Sequence, residues 1–182
     1  MTSQATEPRV YVACLASYNN GTLHGAWINL EGADADTIQE EIDAMLAASP
    51  APDAEEYAIH DHEGLCGLLS GESASADELA EIAEAIEEIG DDAEAFEAYC
   101  NCYGANGAPS DLVEQFREAF QGVWGSEQDF AENLADDTGL LDDAPETLRT
   151  YFDWEAWTRD LFMGGDYSSH DVSGGVAVFS SY

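Results

Sequence analysis

The chain has no lysine and only four arginines, Arg9, Arg117, Arg149 and Arg159, against 39 aspartates and glutamates in 182 residues, a formal net charge of −35. Each shortage excludes something. A P-loop, a Schiff-base mechanism or a pyridoxal site needs a lysine. Direct binding of DNA, RNA or anionic lipid needs clustered lysine and arginine to neutralise phosphates, so the expected macromolecular partner is itself basic. Long apolar runs are missing too. Nothing approaches the roughly 18 residues of a membrane span. The opening MTSQATEPRV has no basic stretch followed by an apolar one. The expectation is a soluble, cytoplasmic protein that contacts neither membrane nor nucleic acid. Cys14, Cys66, Cys100 and Cys102 contain no CxxC pair, which favours reduced thiols over disulfides or zinc.

What is present is enough for a fold. Hydrophobic residues make up 45% and aromatics 10%, ample for a packed core and unlike a disordered acidic tail. Residues 75–97 set the character of the rest, because ten of these positions are acidic and none is basic. Ser75 followed by Glu78 is a capping box, and Leu79, Ile82, Ile86 and Ile89 then recur on one side of a helix. The acids occupy the remainder: Asp77, Glu78, Glu81, Glu84, Glu87 and Glu88, continued by Asp91, Asp92, Glu94 and Glu97. At about 1.5 Å rise per residue, acids three or four positions apart are spaced roughly 4.5 to 6 Å, on the scale of phosphates along a DNA strand. Like charges at such spacing repel within a helix. A solvated face in an acidic protein is the plain explanation, and stand-ins for phosphates are the functional one.

In chain order, Arg9–Ala16 alternates as a strand, with Val10, Val12 and Cys14 on one face. A loop through Asn20–Gly21 leads to a second strand, His24–Leu30. A helix capped by Asp34 or Asp36 follows, with Ile38, Ile42, Met45 and Leu46 inward, and Tyr57–His62 forms a third strand. After the acidic helix, a short helix buries Phe96, Tyr99 and Cys100 and stops near Gly104. Ser110 caps a helix with Leu112, Val113, Phe116 and Phe120 inward, ending at Gly122. Ser126 with Asp129 opens another that buries Phe130 and Leu134. Pro145 starts the next, which carries Tyr151, Phe152, Trp154 and Trp157. The chain closes on a hairpin turning at Ser173–Gly175. The fold class is α+β, in three small segments: 1–70 with a three-stranded sheet and helix, a helical and acidic 71–107, and 108–182 with helices and the hairpin.

Catalytic and cofactor constellations are weak. His60 and His62 would point to one face of a regular strand with Asp61 on the other, yet two ligands do not make a metal site. Cys66, Cys102, His24 and His170 have no nucleophile motif around them. No D-x-D-x-D-G calcium loop occurs among the acids. Neither a catalytic residue, a metal nor a cofactor is expected.

Three passages, RVYVACLASYNNGTLHGAWINL, EYAIHDHEG, and LLDDAPETLRTYFDWEAWTRDL followed by GDY, occur in this order over nearly the whole chain. In them the chain resembles the ArdA antirestriction proteins, which are carried by mobile elements and inhibit type I restriction-modification enzymes by mimicking DNA. The resemblance implies an elongated chain of three small domains that forms a homodimer. It further implies occupation of the DNA-binding groove of the methyltransferase core, with no chemistry. It marks Leu140–Leu161 as the antirestriction motif, so that Leu140, Leu141, Asp142, Asp143, Pro145, Glu146, Tyr151, Phe152, Asp153 and Trp154 become candidate subunit-interface or partner contacts, or determinants of the fold. The lack of lysine departs from the family. A salt-rich host would explain it, and a halophile-adapted domain of other function is one alternative. A mimic or chaperone for another basic nucleic-acid-binding protein is a second, and a metal-dependent hydrolase built on His60 and His62 a third.

Overall fold

The computed structural model describes residues 7–181. Residues 1–6, where the first expected segment begins, and Tyr182, where the expected hairpin stretch ends, lie outside the described residues. The fold is α+β with two three-stranded antiparallel sheets. The chain divides into two compact units between Val113 and Glu114. The acidic helical stretch falls in the first unit, with the first sheet.

The first unit runs β1 (Arg9–Cys14), α1 (Leu15–Asn19), β2 (Gly25–Asn29), α2 (Ala35–Ala47), β3 (Tyr57–Glu63), α3 (Ala76–Ile89), a 3-10 turn (Gly90–Asp92) and α4 (Ala93–Tyr103). Its strand order is β2-β1-β3. Val10, Val12 and Cys14 are fully buried, as alternation requires, and α2 packs against β1 and β2 with Ile38 and Ile42 fully enclosed. Asp34 is the α2 cap, accepting from the Thr37 amide at 2.8 Å. Helix α3 lies on α2. Burying Leu79 and Ile82 there stabilises the fold by about 1.5–3 kcal/mol each, which offsets the repulsion among the acids on its other side.

Two expectations fail in this unit. The strand expected to run to Ala16 stops at Cys14, because Leu15–Asn19, expected to be partly strand and partly loop, turns into α1. The imidazoles of His60 and His62 do not alternate regularly. Tyr11 pairs with Asp61 but Val12 pairs with Ile59, so His60 is the extra residue of a β-bulge. His60 packs edge-on against Tyr18, while His62 lines a cleft elsewhere.

Helix α5 (Pro109–Ala119) leads into β4 (Phe120–Trp124), α6 (Glu127–Asp137), α7 (Glu146–Thr150), α8 (Trp154–Met163), β5 (Tyr167–Val172) and β6 (Gly175–Ser180). The strand order is β4-β6-β5. Ser110 is not the cap of α5. Pro109 is already helical and the Leu112 amide donates to the Ala108 carbonyl, consistent with proline's preference for a first turn where its missing N–H costs nothing. Nor does the helix reach Gly122. It ends at Ala119, and Phe120 begins a strand opposite Phe179. Phe116, Phe120 and Phe179 form one ring cluster, while Phe130 meets Trp124, Phe162 and Tyr167 in another. Ser126 caps α6 as expected, accepting from the Asp129 amide. Among the described residues no helix is long and apolar enough to cross a membrane.

Candidate partner-binding surface

The acidic stretch is displayed because its apolar positions are consumed inward. Leu79, Ile82, Ala83, Ala85 and Ile89 are buried on α3, and Ala95, Phe96, Tyr99 and Cys100 on α4. All ten acids between Asp77 and Glu97 are exposed. Ser75 and Glu78 form both halves of the capping box, with the Ser75 amide donating to the Glu78 carboxylate at 2.8 Å and Ser75 Oγ accepting from the Glu78 amide. The Ser75 amide, and after it the Ser75 hydroxyl, which also donates to the carboxylate, favour the charged form and lower the Glu78 pKa below its ordinary value. Glu78 is therefore partly committed to structure, whereas the acids further along α3 are not part of the cap.

Strand register brings three more acids to the same region. Because β1 is antiparallel to both neighbours, with Arg9 opposite Asn29 on one side and Glu63 on the other, the start of β1 lies beside the ends of β2 and β3. Glu7, Glu31 and Glu63 thereby form one wall of a cleft of about 1090 Å³, and Glu87, Asp91, Glu94 and Glu97 the other. Nothing in the sequence signals this. The three wall acids are separated by more than twenty residues each and none belongs to an acidic run. The base nearest to them is already engaged. Arg9 Nη2 is 2.6 Å from a Glu63 oxygen, and its guanidinium lies 4.6 Å from the centroid of the Trp27 ring. Twenty-four of the 39 acids but only Arg9 of the four arginines lie in 1–113, a formal charge of −23 for that unit.

The Leu140–Leu161 stretch is a turn, helix α7 and most of α8. Several of its members have evident local duties. Pro145 is the residue before α7, and Asp153 caps α8 by accepting from the Ala156 amide at 2.9 Å. Arg149, not singled out from sequence, ties the turn down by donating to the carbonyls of Asp142 and Ala144. Phe152 is half-buried against the edges of Trp154 and Trp157. Leu141 is half-buried, whereas Asp142, Asp143 and Glu146 are exposed. Local packing does not account for the large apolar groups left outside: Leu140 is 45% exposed, Leu148 62% and Tyr151 82%. The aromatic patch is thus divided between a half-buried ring cluster and a projecting tyrosine.

The described residues include no group of three or more His, Cys, Asp or Glu arranged to hold a metal ion, and no disulfide joins the cysteines. Burial, followed by the nearby Glu97 carboxylate, pushes the Cys66 thiol up to about 11. Cys100 is raised to about 11 as well, chiefly by burial, with Cys66 and Glu97 adding. Against the ordinary 9.0, thiolate at neutral pH is about a hundredfold scarcer at each site. Peptide mapping after brief treatment with a maleimide is expected to find Cys66 and Cys100 labelled slowly, at rates rising about tenfold per pH unit toward 11. A pH-independent rate would contradict this. The unfolded chain loses these protons near 9 and the folded chain near 11, so folding stability is expected to decline as pH rises through that interval.

Residues 10–176 match the family model described as antirestriction protein ArdA. No curated protein matches the chain. With a displayed acidic surface, a motif that leaves Leu140, Leu148 and Tyr151 exposed, and a match across nearly all 182 residues, the chain belongs to the ArdA family of antirestriction proteins.

Proposed function

We propose that this protein blocks type I restriction-modification enzymes by occupying the DNA-binding groove of their methyltransferase core as a homodimeric mimic of DNA. The observation that carries the proposal is the exposure of all ten acids from Asp77 to Glu97 on one helical stretch. Carboxylates fixed on helices take the place of phosphates, and inhibition needs no covalent step. Two chains together hold about 70 formal negative charges. At one charge per roughly 1.7 Å of duplex, that is the charge of on the order of 35 base pairs, an upper bound because some acids pair or face away. The projecting Leu140, Leu148 and Tyr151 support the motif's assignment to a subunit interface, where exposed apolar and aromatic side chains are enclosed. Segments 1–70, 71–107 and 108–182 are read as the functional divisions of the chain, with the middle one as the centre of the charged surface.

The test is inhibition in trans. Purified protein added at stoichiometric amounts is expected to stop both cleavage and methylation by a type I enzyme and to displace labelled DNA from its methyltransferase core. Unchanged cleavage with a large excess of folded protein at low salt would overturn the proposal and favour an acidic surface that serves only solubility. Changing Asp77, Glu81, Glu84 and Glu88 together to lysine is expected to weaken inhibition far more than any one of them alone, since single exposed charges contribute about 0–1 kcal/mol each.

A further inference from the structure

The cleft in the first unit is more than another patch of negative charge, because its two acidic walls enclose an apolar floor. Leu65 and Ala83 are buried at its base, and the half-buried Ile86 and Ala93 face it from the helical side. Ile86 is the one position of the expected α3 stripe that the core does not enclose. Four glycines, Gly32, Gly64, Gly67 and Gly90, also line the cleft and keep its walls free of side chains at those points. A helix about 10 Å across is comparable in scale with this open cleft of about 1090 Å³, so a short helical segment is a suitable occupant. Both walls are acidic, so a second copy of this chain, itself at −35, is a poor occupant.

We propose that this cleft seats a basic amphipathic segment of the partner protein, a short helix with arginine or lysine along both flanks and an apolar ridge between. The acids of the two walls then correspond to the two phosphate strands that border a DNA groove, and the apolar floor takes the place of the base edges. This deepens the mimic reading, on which it rests for the identity of the basic partner. A segment binding in this way gains burial of its apolar ridge as well as charge, so the cleft discriminates between amphipathic and merely cationic ligands.

The experiment uses the full chain and two synthetic peptides of about 18 residues and identical composition. In one, leucines recur at helical spacing between arginine flanks; in the other the order is scrambled so that no apolar face forms. Fluorescence anisotropy at about 100 mM salt is expected to show the amphipathic peptide binding at least about tenfold more tightly. Changing Glu87, Glu94 and Glu97 together to glutamine is expected to weaken it about tenfold. The same loss of charge at Glu40, Glu41 and Glu55, exposed residues outside the cleft, is expected to cost no more than about threefold. Ile86→Ser, checked for folding by circular dichroism, is expected to abolish the preference for the amphipathic peptide while leaving the scrambled one unaffected. Equal binding of both peptides, equal losses from the two triple variants, or equally effective competition by spermidine would each overturn the proposal. So would a change in oligomeric state on altering the cleft acids without peptide, which would make a second copy the occupant. Inhibition of a type I enzyme is measured in parallel. Selective peptide binding without inhibition supports the cleft and removes the mimic reading; inhibition without selective peptide binding does the reverse.

Discussion

Gly175→Ala is expected to detach β4 from β6 and to cost the second unit several kcal/mol, at the high end of what single substitutions do. A Cβ on Gly175 would overlap the carbonyl oxygen of Trp124 and stand 2.8 Å from its carbon, atoms of backbone that cannot rotate aside. The residue also sits at φ +148, where an L side chain is strained whatever the space. Relief requires moving the first residues of β6 away from β4, beginning with the pairing of Trp124 with Val176 and Val123 with Ala177. Ala177, Val178 and Phe179 are all fully buried, so the displaced strand carries the centre of that core with it. Gly174 next to it provides the control. It has φ +104 but open space around its Cβ, so Gly174→Ala is expected to cost only the backbone strain, about 1 kcal/mol. Urea unfolding followed by tryptophan fluorescence, with Trp27 replaced by phenylalanine so that only Trp124, Trp154 and Trp157 report, separates the two. Equal stability of the two variants would show that β6 does not depend on this close approach.

That hairpin was legible in the sequence, and the strand it rests on was not. Alternation and a Ser173–Gly174–Gly175 turn are local signals, as are the Ser75 and Ser126 caps and the stripe from Leu79 to Ile89, and the structure places these elements as read. Strand β4 was hidden because Leu112, Val113, Phe116 and Phe120 continue a helical spacing without interruption. What ends the helix is the pairing of Phe120 with Phe179, 59 residues further on. The bulge at His60 is set in the same way, by the register of β3 against β1, and so is the cleft wall of Glu7, Glu31 and Glu63. In the candidate site, the acids of residues 77–97 could be read from helical periodicity alone. The guanidinium of Arg149 holding the motif's turn, and the half-buried Ile86 facing the cleft, depend on long-range or loop geometry that periodicity does not encode.

Binding to the restriction enzyme is expected to weaken steeply with salt while the protein itself becomes more stable. For a duplex, neutralising six phosphates makes affinity fall about a thousandfold between 50 and 200 mM salt, because condensed counterions are released on binding. Carboxylates on this surface are less densely spaced than duplex phosphates. The slope per contact is therefore expected to be smaller than for DNA, though many contacts still give a loss of at least on the order of tenfold to a hundredfold. Folding responds in the opposite direction. A chain at −35 repels itself, most of all in the first unit, and screening that repulsion favours the compact state. Titrating the methyltransferase core with protein at three salt concentrations, alongside thermal unfolding in the same buffers, is expected to give Kd and Tm that both rise. The opposite signs expected of affinity and stability matter, because loss of inhibition at high salt cannot then be ascribed to unfolding. A Kd independent of salt would show that apolar contacts, such as those offered by Leu148 and Tyr151, hold the complex together and that the displayed acids serve solubility alone.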